Sequence, residues 1–569
     1  MRKIIPLLLA ANLLLCTGII VLLPPFEGID ETANYSRIKS QAFVTQTPSA
    51  ADKTEATPSY QHIAKEVYDY YRAGPMPFGW ITFDQRHDED PLKGYMTYRD
   101  FFAQPDRAAN YMQLYRDAPI PTGFAPGPET DWQYQHPALY YLAMAPVMKV
   151  LAGHASLATA IVVLRLVSFA FAFAGFCIGI FATRKYLAAL KLADADTIIA
   201  LGLLYPFLMP EFFWEFTRIG NDGMCLFLFG VIWALLLWHL REPRSDAWMY
   251  LGFFMGLSWL VKALMIPVTA GIVAFLVLYH LFVLRRKTEY VRDWWLAPLK
   301  TLFALALIGL PVYLSSYAYS GGLGSGELNG VLHAGNIFTQ LEKAFTWPIL
   351  WDGLREIYVT GIWGWGYASW SEMNIAMPDL FYGALYLFCA LVIVAFVLSM
   401  RRRPGPLYAL ALFTLGPMFA GLVAHIFMMR MLAPDAQYAP ATPGYYVHIL
   451  APCYVLVFGL GLKELIDKKL TAVVVVLSVP ITLFNFYIPV AFATAFAGCV
   501  KPVYEGNIYW LPPADIDHCA GQFNLMLDRL AVLVWPGAAG ACFALSLVLL
   551  LAAVLIALRI HRFKHLPAG

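Results

Sequence analysis

Apolar residues in this chain run in long blocks, not in the strict alternation of a half-buried strand or the single stripe of a soluble helix. Stretches of about 20 residues with few charges recur along its length, which is what a helix needs to cross a bilayer. The pattern predicts twelve spans, at about 4–23, 160–183, 195–211, 223–240, 247–263, 265–284, 298–318, 379–400, 406–429, 446–464, 470–490 and 530–558. One further apolar stretch, 137–152, is shorter, contains Pro137 and Pro146, and carries Lys149. It reads as a helix lying at the outer interface. The expected fold class is an all-α polytopic membrane protein with large outer loops and juxtamembrane helices.

The charge pattern sets a direction. If Arg2 and Lys3 are inside and the spans alternate, Arg184–Lys185, Arg241–Arg244, Arg285–Lys287, Arg401–Arg403, Lys468–Lys469 and Arg559–Lys564 all fall on the same side. Cytoplasmic loops are enriched in Lys and Arg, so both termini are expected in the cytoplasm. The first apolar block is longer than the roughly 7–15 residues of a signal-peptide core and lacks a small-residue cleavage pattern, so it reads as an uncleaved span. Composition agrees: 59% of the 569 residues are hydrophobic, 14% are charged and mean hydropathy is +0.59. Soluble chains carry roughly 25% charged residues, so a soluble multidomain protein and a disordered one are both excluded. No basic run supports nucleic-acid binding.

Three outer segments interrupt the spans. The first, 24–135, is acid-rich, with a flexible insert at 43–59 and Tyr-rich stretches at 60–73 and 98–116 that suggest amphipathic helices. The second, 319–378, holds Gly321–Gly326 and the aromatic run IWGWGYASW. The third, 491–528, holds Cys499 and Cys519, which share an oxidising compartment and are a candidate disulfide, two free thiols being the alternative. The remaining cysteines lie in spans. No internal repeat is visible, which argues against an inverted-repeat transporter.

Polar groups at the outer ends of spans carry the candidate chemistry, because charge beside a bilayer is costly and usually functional. Asp30 and Glu31 follow the first span, where an acid beyond a rigid helix end can serve as a general base. His136 and Pro137 open the interfacial helix, and Tyr140 and Tyr141 follow; a His at a helix start suits phosphate. Arg165 lies near the outer end of the second span, Arg218 and Asp222 between the third and fourth, and Lys262 at the end of the fifth among apolar neighbours. Each has a bland reading as a cap, an interface anchor or a snorkelling cation. Together they place carboxylates and cations at one outer cavity, suited to an anionic, membrane-embedded substrate whose reaction needs a base. The run His87-Asp88-Glu89-Asp90 could bind a divalent metal but reads first as a hydrophilic loop, and nothing has the ligand spacing of a zinc site. Apart from that divalent metal, the sequence calls for no cofactor.

The order of these motifs resembles the GT-C superfamily of integral-membrane glycosyltransferases, which includes the lipid A aminoarabinose transferases and protein O-mannosyltransferases. The resemblance rests on Asp30-Glu31 in the first outer loop, on His136–Tyr141, on Arg165, on Asn221-Asp222 and on Trp259–Lys262. It covers residues 1–290 best. The chain departs from the pattern at Ala138, where a second Pro is usual, at Gln135, where an acid is usual, and at Gly444-Tyr445-Tyr446, where an Arg is missing. The resemblance implies a GT-C-like fold with a catalytic module over 1–318 (outer loop 24–159), an outer loop over 319–378 and a C-terminal module over 379–569 with the loop 491–528. It implies an inverting transfer of a sugar from a polyprenyl-phosphate donor to a hydroxyl or amine of a lipid, glycan or protein, at the periplasmic face of a bacterial inner membrane. Asp30 is expected as base, with Asp222 and Glu31 as further acids. His136, Arg165, Arg218 and Lys262 are expected to bind phosphate, and Tyr140, Tyr141, Trp363 and Trp365 to meet the sugar. The alternatives are a transporter or flippase of lipid-linked sugars and an O-antigen polymerase or ligase.

Overall fold

The computed structural model describes the whole chain except residues 1, 29, 45–60, 76–95, 193, 243–246, 284–295, 321–345, 364–378, 403–404, 433–441, 501–502, 506–507, 511–520 and 565–569. The chain is a multi-pass, predominantly helical membrane protein. Among the described residues, 10 helices are long and apolar enough to cross a membrane. They are Ile4–Leu22, Leu157–Ala189, Asp222–Arg241, Met265–Phe282, Pro298–Ser315, Leu380–Arg401, Pro406–Met428, Gly444–Asp467, Thr471–Phe496 and Pro536–Arg559. The helix Leu139–Leu151 has 13 residues, as its short apolar run predicts.

Two of the twelve expected spans fall short. The stretch 195–211 divides into Ala195–Gly202 and Tyr205–Leu208, with Pro206 in the first turn of the second piece. Proline lacks the N–H that would continue the ladder and fits a helix start instead. Asn485 Nδ2 donates to the Phe207 carbonyl at 2.8 Å, satisfying an acceptor at the broken end. The stretch 247–263 forms a helix only over Ala247–Trp259. The chain then turns through Lys262 before Met265–Phe282 begins.

Close helix contacts depend on missing side chains. A Cβ on Gly230 would lie 2.1 Å from the Gly175 carbonyl oxygen, and one on Gly175 would lie 2.3 Å from Phe227 Cα. Leu157–Ala189 and Asp222–Arg241 therefore meet backbone to backbone, as small residues allow between membrane helices. Across the bundle, Ser546 Oγ donates to the Ala11 carbonyl at 2.7 Å and joins the first helix to the last.

The segment between the first two spanning helices folds into short elements of its own. The helix Glu31–Phe43 is rich in polar residues yet almost wholly buried. It is followed by Lys65–Ala73, Tyr98–Phe102 and Pro105–Tyr111. The rings of Phe26, Tyr35, Tyr70 and Tyr111 pack edge to face among them. Two short antiparallel ribbons, His62–Ala64 with Pro126–Thr130 and Val503–Glu505 with Ile508–Trp510, add strands that the apolar pattern does not announce. Cys499 is disulfide-bonded and the other described cysteines are free. Cys519, Trp365, His87–Asp90 and Gly321–Gly326 lie outside the described residues.

Candidate active site

The loop after the first helix holds three acids, and the structure treats them differently. Glu27 and Glu31 are buried, whereas Asp30 is partly exposed. Glu27 accepts from the Tyr98 hydroxyl. Glu31 is the centre of a saturated knot. Arg165 Nε donates to its Oε1 at 2.7 Å and Arg165 Nη2 to its Oε2 at 2.6 Å. The backbone N–H of Ile219 donates to Oε1 at 2.9 Å and that of Gly28 to Oε2 at 3.1 Å. Arg165 directs its remaining N–H groups at the carbonyls of Ile20, Leu23 and Pro24, at 3.4, 2.6 and 2.8 Å. Every guanidinium N–H has an acceptor, and neither side chain is exposed. The pair thus clamps the end of the first helix to the second span and to the 218–222 turn. The roles the sequence suggested, catalytic for Glu31 and phosphate-binding for Arg165, would require these bonds to be given up.

Removing one member of a buried ion pair leaves an uncompensated charge, which typically costs about 3–5 kcal/mol. Arg165→Met is therefore expected to lower the thermal unfolding midpoint of the purified protein sharply. The double variant Glu31→Leu with Arg165→Met is expected to recover most of the loss. An unchanged midpoint in the single variant would rule out the clamp.

Asp30 stands at the start of the helix Glu31–Phe43 with φ 58° and ψ 10°. Left-handed backbone is rare outside Gly, but Asp and Asn tolerate it better than most. The clamp at Glu31 and the contact of Gly28 with the Arg218 side chain hold this conformation. A Cβ on Gly28 would lie 2.7 Å from Arg218 Cβ. Asp30 is thereby presented, partly exposed, beside the 218–222 turn.

That turn carries a cluster of charges. Lys262 Nζ donates to Asp222 Oδ1 at 2.9 Å and to Oδ2 at 3.0 Å. Arg218 Nη2 lies 2.8 Å from both carboxylate oxygens of Glu215 and 3.4 Å from Asp222 Oδ2. All four side chains are buried. Burial pushes the Glu215 carboxyl well above its ordinary range, Arg218 opposes the shift, and Asp222 adds to it. The aromatic wall comes from far along the chain: the Lys262 ammonium lies 4.2 Å from the ring centre of Tyr446, and the Arg218 guanidinium 5.4 Å from that of Tyr445. The Tyr446 side chain is within electrostatic reach of Lys262, Asp222, Asp30 and Arg218 together. One group thus senses all four.

The helix start at Leu139 is tied to the same place. Its N–H donates to the Leu260 carbonyl at 3.1 Å, two residues before Lys262. Arg37 donates to the carbonyls of Gln133 and His136 and lies 4.0 Å from the ring centre of Tyr141. His136 is half-buried. Loss of hydration, with Lys262 and Arg37 as further causes, lowers its pKa to about 3, so its ring is neutral at physiological pH. The two tyrosines are fully buried and already engaged. Tyr140 bonds Ser168 Oγ at 2.6 Å, and Tyr141 donates to Asn34 and Gln133 at 3.0 and 3.1 Å. Trp363 is buried against Trp214, Phe484 and Phe492. In this structure all three rings are buried among protein side chains.

Asp30, Asp222, Arg218, Lys262 and His136 are thus brought to one end of the bundle. Sequence reasoning missed Glu215, although an acid inside the aromatic run EFFWEF, one turn before Arg218, is a usable signal. The motif Gly444-Tyr445-Tyr446 lacks the Arg usual beside it, so the sequence alone gives the two tyrosines no role. Among the described residues no cluster of three or more His, Cys, Asp or Glu side chains could hold a metal ion.

No family model matches the chain, and no curated protein sequence matches it. Among solved structures it is similar to ArnT from Cupriavidus metallidurans in the apo state, at 13% identity and a TM-score of 0.36, covering 85% of this chain and 75% of that one. It is also similar to the same protein bound to undecaprenyl phosphate, at 12% identity and a TM-score of 0.37, covering 83% and 75%.

Proposed function

We propose that this chain is a membrane glycosyltransferase that moves a sugar from a polyprenyl-phosphate donor to an acceptor hydroxyl or amine at the outer face of the membrane. The observation that carries the reading is the contact of Asp222, Arg218 and Lys262 in one buried cluster backed by Tyr446, with Asp30 within electrostatic reach, at the end of an otherwise apolar bundle. A soluble sugar nucleotide would not need such a setting. A lipid phosphate places its tail among the spans and its headgroup where these cations sit.

Asp30 takes the proton of the acceptor O–H or N–H. The acceptor's lone pair attacks the anomeric carbon from the face opposite the phosphate, the bond from that carbon to the phosphate oxygen breaks, and the configuration inverts. Negative charge collects on the departing polyprenyl phosphate, where Arg218 and Lys262 stabilise it. Fixed cations are effective at such a point because a partly dry site does not have to reorganise around the developing charge. Asp222 holds the Lys262 ammonium in place, and the neutral His136 ring can give one N–H to a phosphate oxygen. Glu31 and Arg165 act at one remove, by holding Asp30.

The transporter alternative needs charge or broken helices near mid-membrane. The helix break at 203–204 carries no charged residue, and Tyr205, Phe207, Phe212 and Phe213 beyond it pack ring against ring. The test is turnover of a labelled polyprenyl-phosphate sugar by the purified chain in nanodiscs with a panel of lipid, glycan and peptide acceptors. Label joined singly to an acceptor supports the proposal. Label carried across a sealed vesicle without a new glycosidic bond would favour the transporter, and a growing glycan would favour the polymerase.

A further inference from the structure

The segment 442–446 lies against the helix Trp347–Ile362, and the way it is held is specific. The Glu356 carboxyl accepts the Thr442 backbone N–H. One turn on, Thr360 Oγ1 accepts the Gly444 N–H at 2.7 Å and donates to the Glu356 carbonyl at 2.7 Å. Between these anchors the two backbones nearly touch: a Cβ on Gly444 would lie 1.6 Å from the Ile357 carbonyl oxygen. Positions 356 and 360 lie on one face of the helix, and that face is buried, while Trp347 and Trp351 on the other are exposed. The anchored segment then delivers Tyr445 and Tyr446 to Arg218 and Lys262.

We propose that Glu356 is a positioning residue: with Thr360 it fixes the segment 442–446 so that Tyr445 and Tyr446 back the two cations of the site. This rests on the glycosyltransferase reading only for its effect on turnover; the anchoring itself is independent of it. Burial pushes the Glu356 pKa up to about 8, so at neutral pH the group is mostly an uncharged carboxyl. Its Oε1 has no hydrogen-bond partner among the described residues, a situation far less costly for a neutral group than for a charge. What the segment needs from position 356 is thus an acceptor for an N–H, not a charge.

Glu356→Gln keeps that acceptor and Glu356→Leu removes it. With the full-length protein in nanodiscs, the Leu variant is expected to lose about 10²-fold in kcat/KM, the scale of a misplaced group near the reacting atoms. The Gln variant is expected to stay within a few-fold of wild type. Cryo-EM of the two variants should show Tyr446 displaced from Lys262 in the first and in place in the second. Thr360→Val, which removes the other anchor at almost constant volume, supplies the same two readings if Glu356→Leu does not fold. Tyr446 unmoved in both Glu356→Leu and Thr360→Val, or lost equally in Glu356→Gln and Glu356→Leu, would overturn the proposal. A wild-type protein that transfers no sugar would overturn the functional reading, and the position of Tyr446 would still decide this one.

Discussion

Asp30→Asn is expected to lower kcat for sugar transfer roughly 10²–10⁴-fold, the usual contribution of a positioned general base. Donor affinity and thermal stability are expected to stay close to wild type. The substitution is nearly isosteric, and Asn accepts the left-handed backbone that Asp30 adopts, so the loop should keep its shape. What is lost is the ability to take a proton, since a carboxamide at neutral pH is no base. Asp30→Ala would be a poorer probe, because it adds backbone strain of roughly 1–2 kcal/mol to the missing carboxylate. Single-turnover rates measured beside donor titrations separate the two effects. Wild-type turnover by a correctly folded Asp30→Asn protein would remove Asp30 from the chemistry.

Lys262→Ala should be the second severe variant, and on two counts. Lys262 bonds both oxygens of Asp222, a buried carboxylate whose other cation, Arg218, is 3.4 Å away and shared with Glu215. Taking away the ammonium strands that charge, at a cost of about 3–5 kcal/mol. It also removes a cation from the place proposed for the donor phosphate. The two losses can be separated. Asp222→Asn combined with Lys262→Met leaves no stranded charge and should restore most of the thermal stability, while donor binding stays weak. If Lys262→Ala folds as stably as wild type and binds polyprenyl phosphate equally well, neither role is correct.

Much of the bundle was legible because the bilayer imposes a length on apolar blocks, and ten of these blocks became helices of spanning length. The two that did not show where the rule gives way. At 195–211 prolines 206 and 210 interrupt an otherwise apolar run, and hydropathy does not register the missing N–H. At 247–263 apolar residues continue past the helix end, and the carbonyl of Leu260 is claimed by Leu139, a tertiary contact invisible to a local pattern. The short ribbons were hidden for a related reason: strands of a few residues in polar loops leave no periodic signal.

For the site, residue types and order identified which charges matter but not which would neutralise one another. Arg165 and Lys262 look alike in sequence, each a lone cation near the end of an apolar block. Folding gives Arg165 a carboxylate, three carbonyls at the end of the first helix and no exposure, and it gives Lys262 a carboxylate and a tyrosine ring. The difference comes from residues 40 to more than 130 positions away, which no local spacing records. The same holds for Glu356, whose relevance rests entirely on its meeting with the 442–446 segment.

The most direct measurement is a cryo-EM map of the full-length protein in nanodiscs with polyprenyl phosphate bound. The phosphate is expected within hydrogen-bonding distance of Lys262 or Arg218, with the Asp30 carboxylate facing the space beside it and the isoprenoid tail running between spans. A phosphate bound elsewhere, out of reach of Lys262, Arg218 and Asp30, would contradict the site and the reaction built on it.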